Sequence, residues 1–205
     1  PAPFPARSRA VFPDKKCFLE KNLKEVKRNG TLMDNTSRKA FQGRNLMLGT
    51  EEFKLLAEKY MDMIFRIAFS FLKSQSDAED VTQDVLLRLY ETDYVFESQS
   101  HIKNWLAKVT CNECRKFWRR LPHKQENISD YADHLAFEEK TYQDLFTAVM
   151  RLDKAKRIVV ILYYLEGYQI HEIAELLEIP QGTVGTRLAR ARKELRKYLE
   201  EEVSI

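Results

Sequence analysis

Basic side chains crowd the segment from Gly185 to Leu199, which holds six lysines and arginines against one acid, Glu194. Such side chains neutralise the phosphates of a nucleic-acid backbone, and arginine and threonine can also contact base edges in a groove. The chemistry that this segment favours is therefore recognition of DNA. In and just before it, the candidate contact residues are Thr183, Thr186, Arg187, Arg190, Arg192, Arg196 and Lys197.

The elements that must position this segment are two helices joined by a tight turn. An apolar stripe at i, i+3, i+4 and i+7 predicts the first helix: Ile170, Ile173, Ala174 and Leu177. Pro180 cannot continue a helix interior, but it suits the first turn of a second helix. The stripe of that helix is Val184, Leu188, Ala191 and Leu195. The pattern is typical of a helix-turn-helix DNA-binding motif, and a surface helix with solvated charges is the less favoured alternative.

A second basic segment runs from Lys103 to Lys124, with seven basic residues against one acid, Glu113. Aromatic residues are interleaved with these charges and also occupy the polar loop before them. Rings stack on unpaired bases while charges follow the backbone, as a single-strand nucleic-acid surface requires. A buried aromatic helix with a basic rim explains the pattern equally well. The candidate contact residues are Tyr94, Phe96, Trp105, Arg115, Lys116, Arg119 and Arg120.

An acidic helix is predicted before that loop. Ser76 is the predicted N-cap, because the acids that follow it are favoured by the dipole of the first helical turn. The predicted buried face comprises Ala78, Val81, Val85, Leu86 and Leu89. Asp80, Gln83 and Asp84 lie off that face, and taken alone they are explained by a solvated surface.

The three cysteines, Cys17, Cys111 and Cys114, form no even disulfide framework, which favours a reducing compartment. Cys111 and Cys114 have C-x-x-C spacing, but no second pair or closely spaced histidines complete a zinc site. We therefore expect buried or half-buried helix thiols and no metal. The sequence also lacks a nucleophile–base set and a glycine-rich phosphate loop, so we expect neither an enzyme nor a bound cofactor.

The chain has 205 residues, of which 44% are hydrophobic and 32% charged. Glycine and proline are few and alternating apolar runs are scarce, so we expect an all-α fold. We expect two small helical domains joined by a flexible linker, the C-terminal one a four-helix domain with the helix-turn-helix. The predicted divisions are a disordered or artificial extension (1–48), a first domain (49–121), a linker (122–138) and a second domain (139–200).

Targeting signals are not evident in the sequence. No apolar run approaches membrane-spanning length, and the N-terminal residues lack the apolar core of a signal peptide. The expected location is therefore the cytoplasm, without insertion into a membrane.

Together these parts resemble the sigma-70 family of bacterial transcription initiation factors, specifically its small two-domain members of the extracytoplasmic-function (ECF) type. The resemblance covers residues 51–199. Three stretches carry it: SDAEDVTQDVLLRLYE (76–91), HIKNWLAKVTCNECRKFWRR (101–120) and LEGYQIHEIAELLEIPQGTVGTRLARARKEL (165–195). The third is the most specific, because it follows the terminal pattern of the family almost position by position.

The resemblance implies roles for all three surfaces. Asp80, Gln83 and Asp84 would dock on core RNA polymerase. The loop and aromatic helix that follow would capture the minus-ten element of promoter DNA as a single strand, with Asn112 and Arg119 at matching positions. The helix-turn-helix would read the minus-thirty-five element. An anti-sigma factor is the regulatory partner that the resemblance implies.

Two residues depart from the family pattern. Lys116 stands where the family usually has an aspartate, which adds affinity for phosphate and puts an aspartate-specific role in doubt. Gly185 replaces a larger and often basic residue, and a glycine inside a helix costs about 1 kcal/mol relative to alanine. It either permits close approach to the DNA backbone or removes one contact.

The sequence therefore predicts a sigma factor that binds core RNA polymerase, selects promoters and promotes their melting. One alternative is a stand-alone helix-turn-helix repressor or activator, which would bind its operator tightly without polymerase. Another is a helical interaction module with no role on DNA.

Overall fold

The computed structural model describes residues 50–120 and 140–203, and the regular elements in both ranges are helical. In chain order they are α1 (Thr50–Leu72), α2 (Gln75–Glu91), α3 (Gln99–Arg120), α4 (Lys140–Arg151), α5 (Lys154–Val160), a π-helical turn (Ile161–Leu165), α6 (Ile170–Leu177) and α7 (Gln181–Val203). The prediction of an all-α fold is confirmed for this part of the chain. The predicted extension (1–48) and linker (122–138) lie outside the described residues.

α1 is the central helix of the first helical group, which comprises α1, α2 and α3. Apolar side chains lie on most of its faces, so it can pack against several neighbours at once. Phe53, Met61, Ile64, Phe65 and Ile67 are among those that are fully buried. Both α2 and α3 contact it and each other. α1 thereby sets the positions of the two helices that carry candidate surfaces.

α2 buries the face that its sequence pattern predicts, but it begins earlier than expected. The buried residues are Ala78, Val81, Thr82, Val85, Leu86 and Leu89. Its N-cap is Ser74, whose backbone is extended (φ −135°, ψ 128°) and whose hydroxyl oxygen accepts a bond from the Asp77 N–H at 3.3 Å. The prediction of Ser76 as N-cap is therefore wrong. Closely spaced serines satisfy the same pattern, and only the backbone conformation distinguishes them.

α3 turns its two cysteines into the core. The side chains of Cys111 and Cys114 are fully buried, as predicted. Burial raises the pKa of the Cys111 thiol to about 12, so the thiol stays protonated at neutral pH. Within the two described ranges, no group of three or more histidine, cysteine or acidic residues is placed to hold a metal ion.

α6 and α7 are joined by a tight turn at residues 178–180. α6 begins with a capping box, in which the Gln169 backbone N–H donates to the Glu172 carboxylate at 2.7 Å. Glu178 ends it in the left-handed conformation (φ 56°, ψ 46°), and the Pro180 carbonyl accepts the first backbone bonds of α7. The stripe behind α7 is buried as predicted at Val184, Leu188 and Ala191, while Leu195 is half-buried.

The end of α5 is wound as a π-helix. The Glu166 N–H donates to the Ile161 carbonyl at 3.1 Å, a bond that spans five residues. Gly167 follows with a φ of 75°, a conformation that glycine adopts without steric penalty. The Tyr168 N–H then donates to the Leu162 carbonyl at 3.0 Å. This ending places Glu166 against the first helical group.

The first helical group packs on the second group (α4–α7) along a polar seam that the sequence did not predict. The Nε of Arg66 in α1 donates to the Glu166 carboxylate at 2.7 Å, and the two side chains are only 7% and 4% exposed. Arg157 of α5, also buried, donates to the Ser70 carbonyl at 2.7 Å. Buried charges are stable only when paired and hydrogen-bonded, so these contacts favour the arrangement in which the two groups pack together. The seam also places α6 beside α3.

None of the helices in the two described ranges is both long enough and apolar enough to cross a membrane.

Candidate nucleic-acid interface

The basic row of α7 lies opposite the apolar stripe that packs the helix onto the rest of the second group. A helix with one buried apolar side and one basic side can lie along a DNA groove while its cations contact phosphates. Of the candidate residues, Thr186, Arg190, Arg192, Arg196 and Lys197 are exposed, and Thr183 and Arg187 are half-buried.

Arg192 is held in place by an aromatic side chain. Its Nε donates to the Tyr164 hydroxyl at 2.7 Å, and its guanidinium carbon lies 5.9 Å from the centre of that ring. Tyr164 belongs to the π-helical turn, and its ring meets that of Tyr163 edge to face at 4.9 Å. A guanidinium fixed through Nε still has terminal amino groups that can donate to a phosphate. Arg192 is thus preorganised for that contact.

Gly185 lies on α7 among these residues. A Cβ built on it meets no atom within 4 Å in the described structure. Packing within that part of the chain therefore does not require glycine at this position.

The predicted single-strand residues before α3 form an aromatic cluster. Tyr94 is 51% exposed, and its ring centre lies 5.4 Å from that of Phe96 and 5.2 Å from that of His101. Phe96 meets Trp105 edge to face at 5.5 Å. The structure thus brings the three predicted aromatic residues together and adds His101, whose Nε2 is 3.3 Å from the Tyr94 hydroxyl. Sequence reasoning missed His101, because a single histidine carries no periodic or charge signal.

In the middle of α3, the candidate residue Arg115 contacts the second helical group. Asn112 accepts a bond from Arg115 at 2.7 Å, and Arg115 also donates to the Leu176 carbonyl of α6 at 3.0 Å. Lys108 donates to the Glu178 carboxylate at 2.6 Å, and this hydrogen bond lowers the pKa of Glu178. Lys108 and Glu178 were absent from the predicted site. Lys108 had a detectable signal in the basic run of α3, whereas Glu178 had none.

The end of α3 carries the remaining basic candidates. Lys116, the departure from the family pattern, pairs with Glu113 at 2.9 Å. The same carboxylate is 3.1 Å from Arg88 of α2, so Glu113 links the two helices. The Nε of Arg119 donates to the Arg115 carbonyl at 3.2 Å. The side chain of Arg120 lies outside the described residues.

The acidic candidates form one patch on α2. Asp80, Gln83 and Asp84 have i, i+3, i+4 spacing and therefore lie side by side on the helix. Both carboxylates are exposed and Gln83 is half-buried. Partial desolvation, followed by the nearby Asp77 carboxylate, raises the pKa of Asp80. An exposed cluster of like charges on a rigid helix suits a basic protein surface.

Two family models match the chain over the helices that carry these surfaces. The model described as Sigma-70 region 2 matches residues 56–122, and the model described as Sigma-70, region 4 matches residues 142–195. The chain belongs to the sigma-70 family. The region 2 model spans the acidic patch, the aromatic cluster and α3, while the region 4 model spans α6, the turn and α7 as far as Leu195.

Curated relatives within the sigma-70 family are of the ECF type, as the sequence predicted. The chain is 26% identical to ECF RNA polymerase sigma factor SigX of Bacillus subtilis over 164 residues, which cover 73% of this chain and 84% of that protein. It is 28% identical to ECF RNA polymerase sigma factor SigM of Mycobacterium tuberculosis over 151 residues, with 72% and 76% covered. It is 25% identical to the ECF RNA polymerase sigma-E factor of Escherichia coli over 159 residues, with 69% and 83% covered.

Solved structures of sigma factors share the fold. The Bartonella quintana sigma factor RpoE, solved with the anti-sigma factor NepR, matches with a TM-score of 0.58 at 22% identity, covering 74% of this chain and 98% of that one. CnrH, solved with the cytosolic domain of CnrY, matches with a TM-score of 0.54 at 21% identity, covering 75% and 90%.

Proposed function

We propose that this sigma-70 protein binds core RNA polymerase, directs it to specific promoters and promotes the melting of promoter DNA. The observation that carries the proposal is the match of two sigma-70 region models to one chain, each over the helices of one basic surface. Relatives named as ECF RNA polymerase sigma factors align over more than two thirds of this chain.

Residues 49–121 are the proposed unit for polymerase and the minus-ten element. The α2 patch of Asp80, Gln83 and Asp84 offers exposed carboxylates to a basic surface of polymerase. The aromatic cluster can stack on bases that leave the duplex, which stabilises the melted strand. The residues proposed to contact this strand are Tyr94, Phe96, Trp105, Asn112, Arg115, Lys116, Arg119 and Arg120.

Residues 139–200 are the proposed unit for the minus-thirty-five element. α7 would lie in the major groove, where base edges present a distinct pattern of donors and acceptors. Thr183, Thr186, Arg187 and Arg190 would contact base edges, and the more distal Arg192, Arg196 and Lys197 would contact phosphates. This division assigns sequence selectivity to the first part of the helix and general affinity to the second.

The protein is proposed to act in the cytoplasm, where core polymerase and promoters are, and to perform no covalent step itself. An anti-sigma factor is its proposed inhibitor, as NepR accompanies the sigma factor RpoE in a solved structure of the same fold.

Transcription with purified core RNA polymerase tests the function. On a template that carries a candidate promoter, transcripts of defined start should appear only when this chain is added. Reversing the charge of the α2 patch (Asp80→Arg with Asp84→Arg) should abolish them and leave duplex binding intact. Glu91→Arg, at an exposed position at the end of the same helix, is the matched control and should stay active.

The two alternative functions give different results in the same experiment. Tight, sequence-specific binding to an operator without polymerase, and no transcription with it, would support a stand-alone repressor or activator. Binding to neither polymerase nor DNA would support a helical interaction module.

A further inference from the structure

The turn between α6 and α7 covers two cationic groups of α3, Lys108 and Arg115, and Arg115 is one of the proposed contacts of the single strand. The Glu178 carboxylate accepts a bond from Lys108 at 2.6 Å and lies 4.0 Å from a terminal nitrogen of Arg115. The carbonyls of Glu175 and Leu176 accept further bonds from the same two cations, at 3.1 Å and 3.0 Å. The carboxylate and both carbonyls therefore belong to one short segment of the second helical group, residues 175–178.

These acceptors resemble the oxygens of a nucleic-acid backbone in charge and geometry. A carboxylate and a phosphate both accept short, charge-assisted bonds from lysine and arginine. The last carbonyls of a helix also carry the negative end of its dipole, which favours nearby cations. Because α6 ends on Lys108 and Arg115, the two cations cannot give the same donors to a DNA strand while the seam is closed.

We propose that the Glu178 turn is an intramolecular competitor of single-stranded DNA, so that the closed chain inhibits its own strand-binding surface. This inference rests on the proposed function and adds its regulation. Binding of the strand and closure of the seam exclude each other, and any partner that separates the two helical groups raises the affinity for the strand. Such a partner acts by shifting a population between two arrangements of the same chain.

The contacts of the seam are those of a separable interface. A cavity of about 290 Å³ lies between α3 and α6, lined by Asn104, Lys108, Glu172, Glu175 and Leu176. Lys108 and Glu178 are 36% and 64% exposed, so water can replace each partner when they separate. The buried Arg66–Glu166 pair, farther along the seam, favours the closed arrangement. The contacts of the turn itself are therefore weak, and the closed arrangement depends on the Arg66–Glu166 pair.

Binding of a labelled single strand to the full chain tests the proposal. The variant Glu178→Gln keeps the length of the side chain and removes the charge that Lys108 meets. Its matched control is Glu175→Gln, one turn earlier on α6, since the Glu175 carboxylate forms no ion pair with the described residues. The probe is a fluorescently labelled oligodeoxynucleotide of mixed sequence, and the measurement is anisotropy at low salt.

We expect Glu178→Gln to bind the strand about two- to fivefold more tightly than the natural chain, the range that loss of an exposed ion pair allows. Glu175→Gln should bind as the natural chain does. Equal affinities for all three proteins, or equal gains for both variants, would overturn the proposal. If Glu178→Gln melts early in circular dichroism, Glu178→Asn replaces it, because asparagine tolerates the left-handed conformation.

The transcription experiment separates this inference from the function on which it rests. If the natural chain yields promoter-specific transcripts but the two glutamine variants bind the strand equally, only the self-inhibition is wrong. If the chain yields no transcripts with core polymerase, the proposed function is wrong, whatever the strand affinities are.

Discussion

The two basic surfaces of this protein have similar compositions but different surroundings. On α7, Arg190 and Arg196 are exposed, and the apolar stripe that anchors the helix lies on the other side. On α3, Lys108 and Arg115 meet a carboxylate and the carbonyls at the end of α6. Composition thus determines what each surface can bind, while packing determines whether the surface is accessible.

The difference arises from the position of each helix in the fold. α7 packs on α4, α5 and α6 of its own helical group through its stripe, so its basic side faces away from them. α3 buries Cys111 and Cys114 on one side and meets α6 on another, so fewer directions remain open. A surface between two groups can be regulated by their separation, and a surface at the outside cannot.

The largest effect is expected from breaking the seam at its buried pair. Glu166→Ala removes the carboxylate that the buried Arg66 meets at 2.7 Å. Loss of one partner of a buried ion pair destabilises proteins by about 3–5 kcal/mol, unless the seam opens and hydrates the arginine. Urea denaturation should show a lower free energy of unfolding, and strand affinity should rise while duplex affinity stays unchanged. The α3 surface would then be as accessible as that of α7.

Glu166→Gln is the control for this change. Its side-chain oxygen can still accept the bond from Arg66, so both effects should be smaller. An unchanged unfolding free energy for Glu166→Ala would show that the seam is open in solution and would remove the contrast between the two surfaces.

A second pair of variants sharpens the description of α7. Arg187→Ala should lose about 1–3 kcal/mol of binding energy at one position of the promoter and relax selectivity there. Lys197→Ala should weaken binding to all duplexes alike and reduce the dependence of affinity on salt. Competition binding across a set of single-base variants measures both. Identical losses on every duplex for the two variants would contradict the proposed division along the helix.

Gly185→Ala should stabilise α7 without disturbing its packing. A methyl group has open space there, and alanine in a helix interior is favoured over glycine by about 1 kcal/mol. Thermal denaturation should show a higher midpoint. If duplex affinity falls although stability rises, glycine is needed for close approach of the DNA backbone. Unchanged affinity would show that the glycine only removes a contact.

The smallest effect is a pH dependence confined to the α3 surface. The lowered pKa of Glu178 means that its carboxylate stabilises the closed seam above its ordinary pKa of 4.5. The contribution is lost as the pH falls through the lowered value in the closed chain. Anisotropy titrations should therefore show the strand affinities of the natural chain and Glu178→Gln converging below pH 4.5. A difference between them that stays constant at pH values well below 4.5 would rule out the contribution of Glu178.

Local patterns in the sequence predicted the helices and most of their buried sides. The α6 stripe is an exception, because Ile170 is exposed and Leu176 is buried where Leu177 was expected. The α2 face, the buried thiols of α3 and the stripe behind α7 all follow from spacing along one helix. Ser74 was missed as the N-cap because the choice among close serines depends on backbone angles. The seam was missed for a different reason: Arg66 and Glu166 are 100 residues apart, and no periodicity links residues in different helices.

In the candidate site, too, the parts that depend on local composition were predictable, and the contacts between helices were not. Charge and aromatic content identified the α3 and α7 surfaces, and the aromatic residues Tyr94, Phe96 and Trp105 do lie together. Lys108 and Glu178 acquire their importance only through contact with each other. A single acid in a turn has no sequence signal until its partner across the seam is known.

The π-helical turn makes closure sensitive to insertions and deletions. Such a turn contains one residue more than the α-helix would, and each residue of an α-helix rotates the next by about 100°. Deleting any one residue of Ile161–Leu165 would restore the ordinary winding and swing Glu166 away from Arg66 by about that angle. A relative with one residue fewer at this point would keep both basic helices, α3 and α7, and lose the buried pair. The number of residues in the π-helical turn therefore determines whether Glu166 can pair with Arg66 in the seam between the two helical groups.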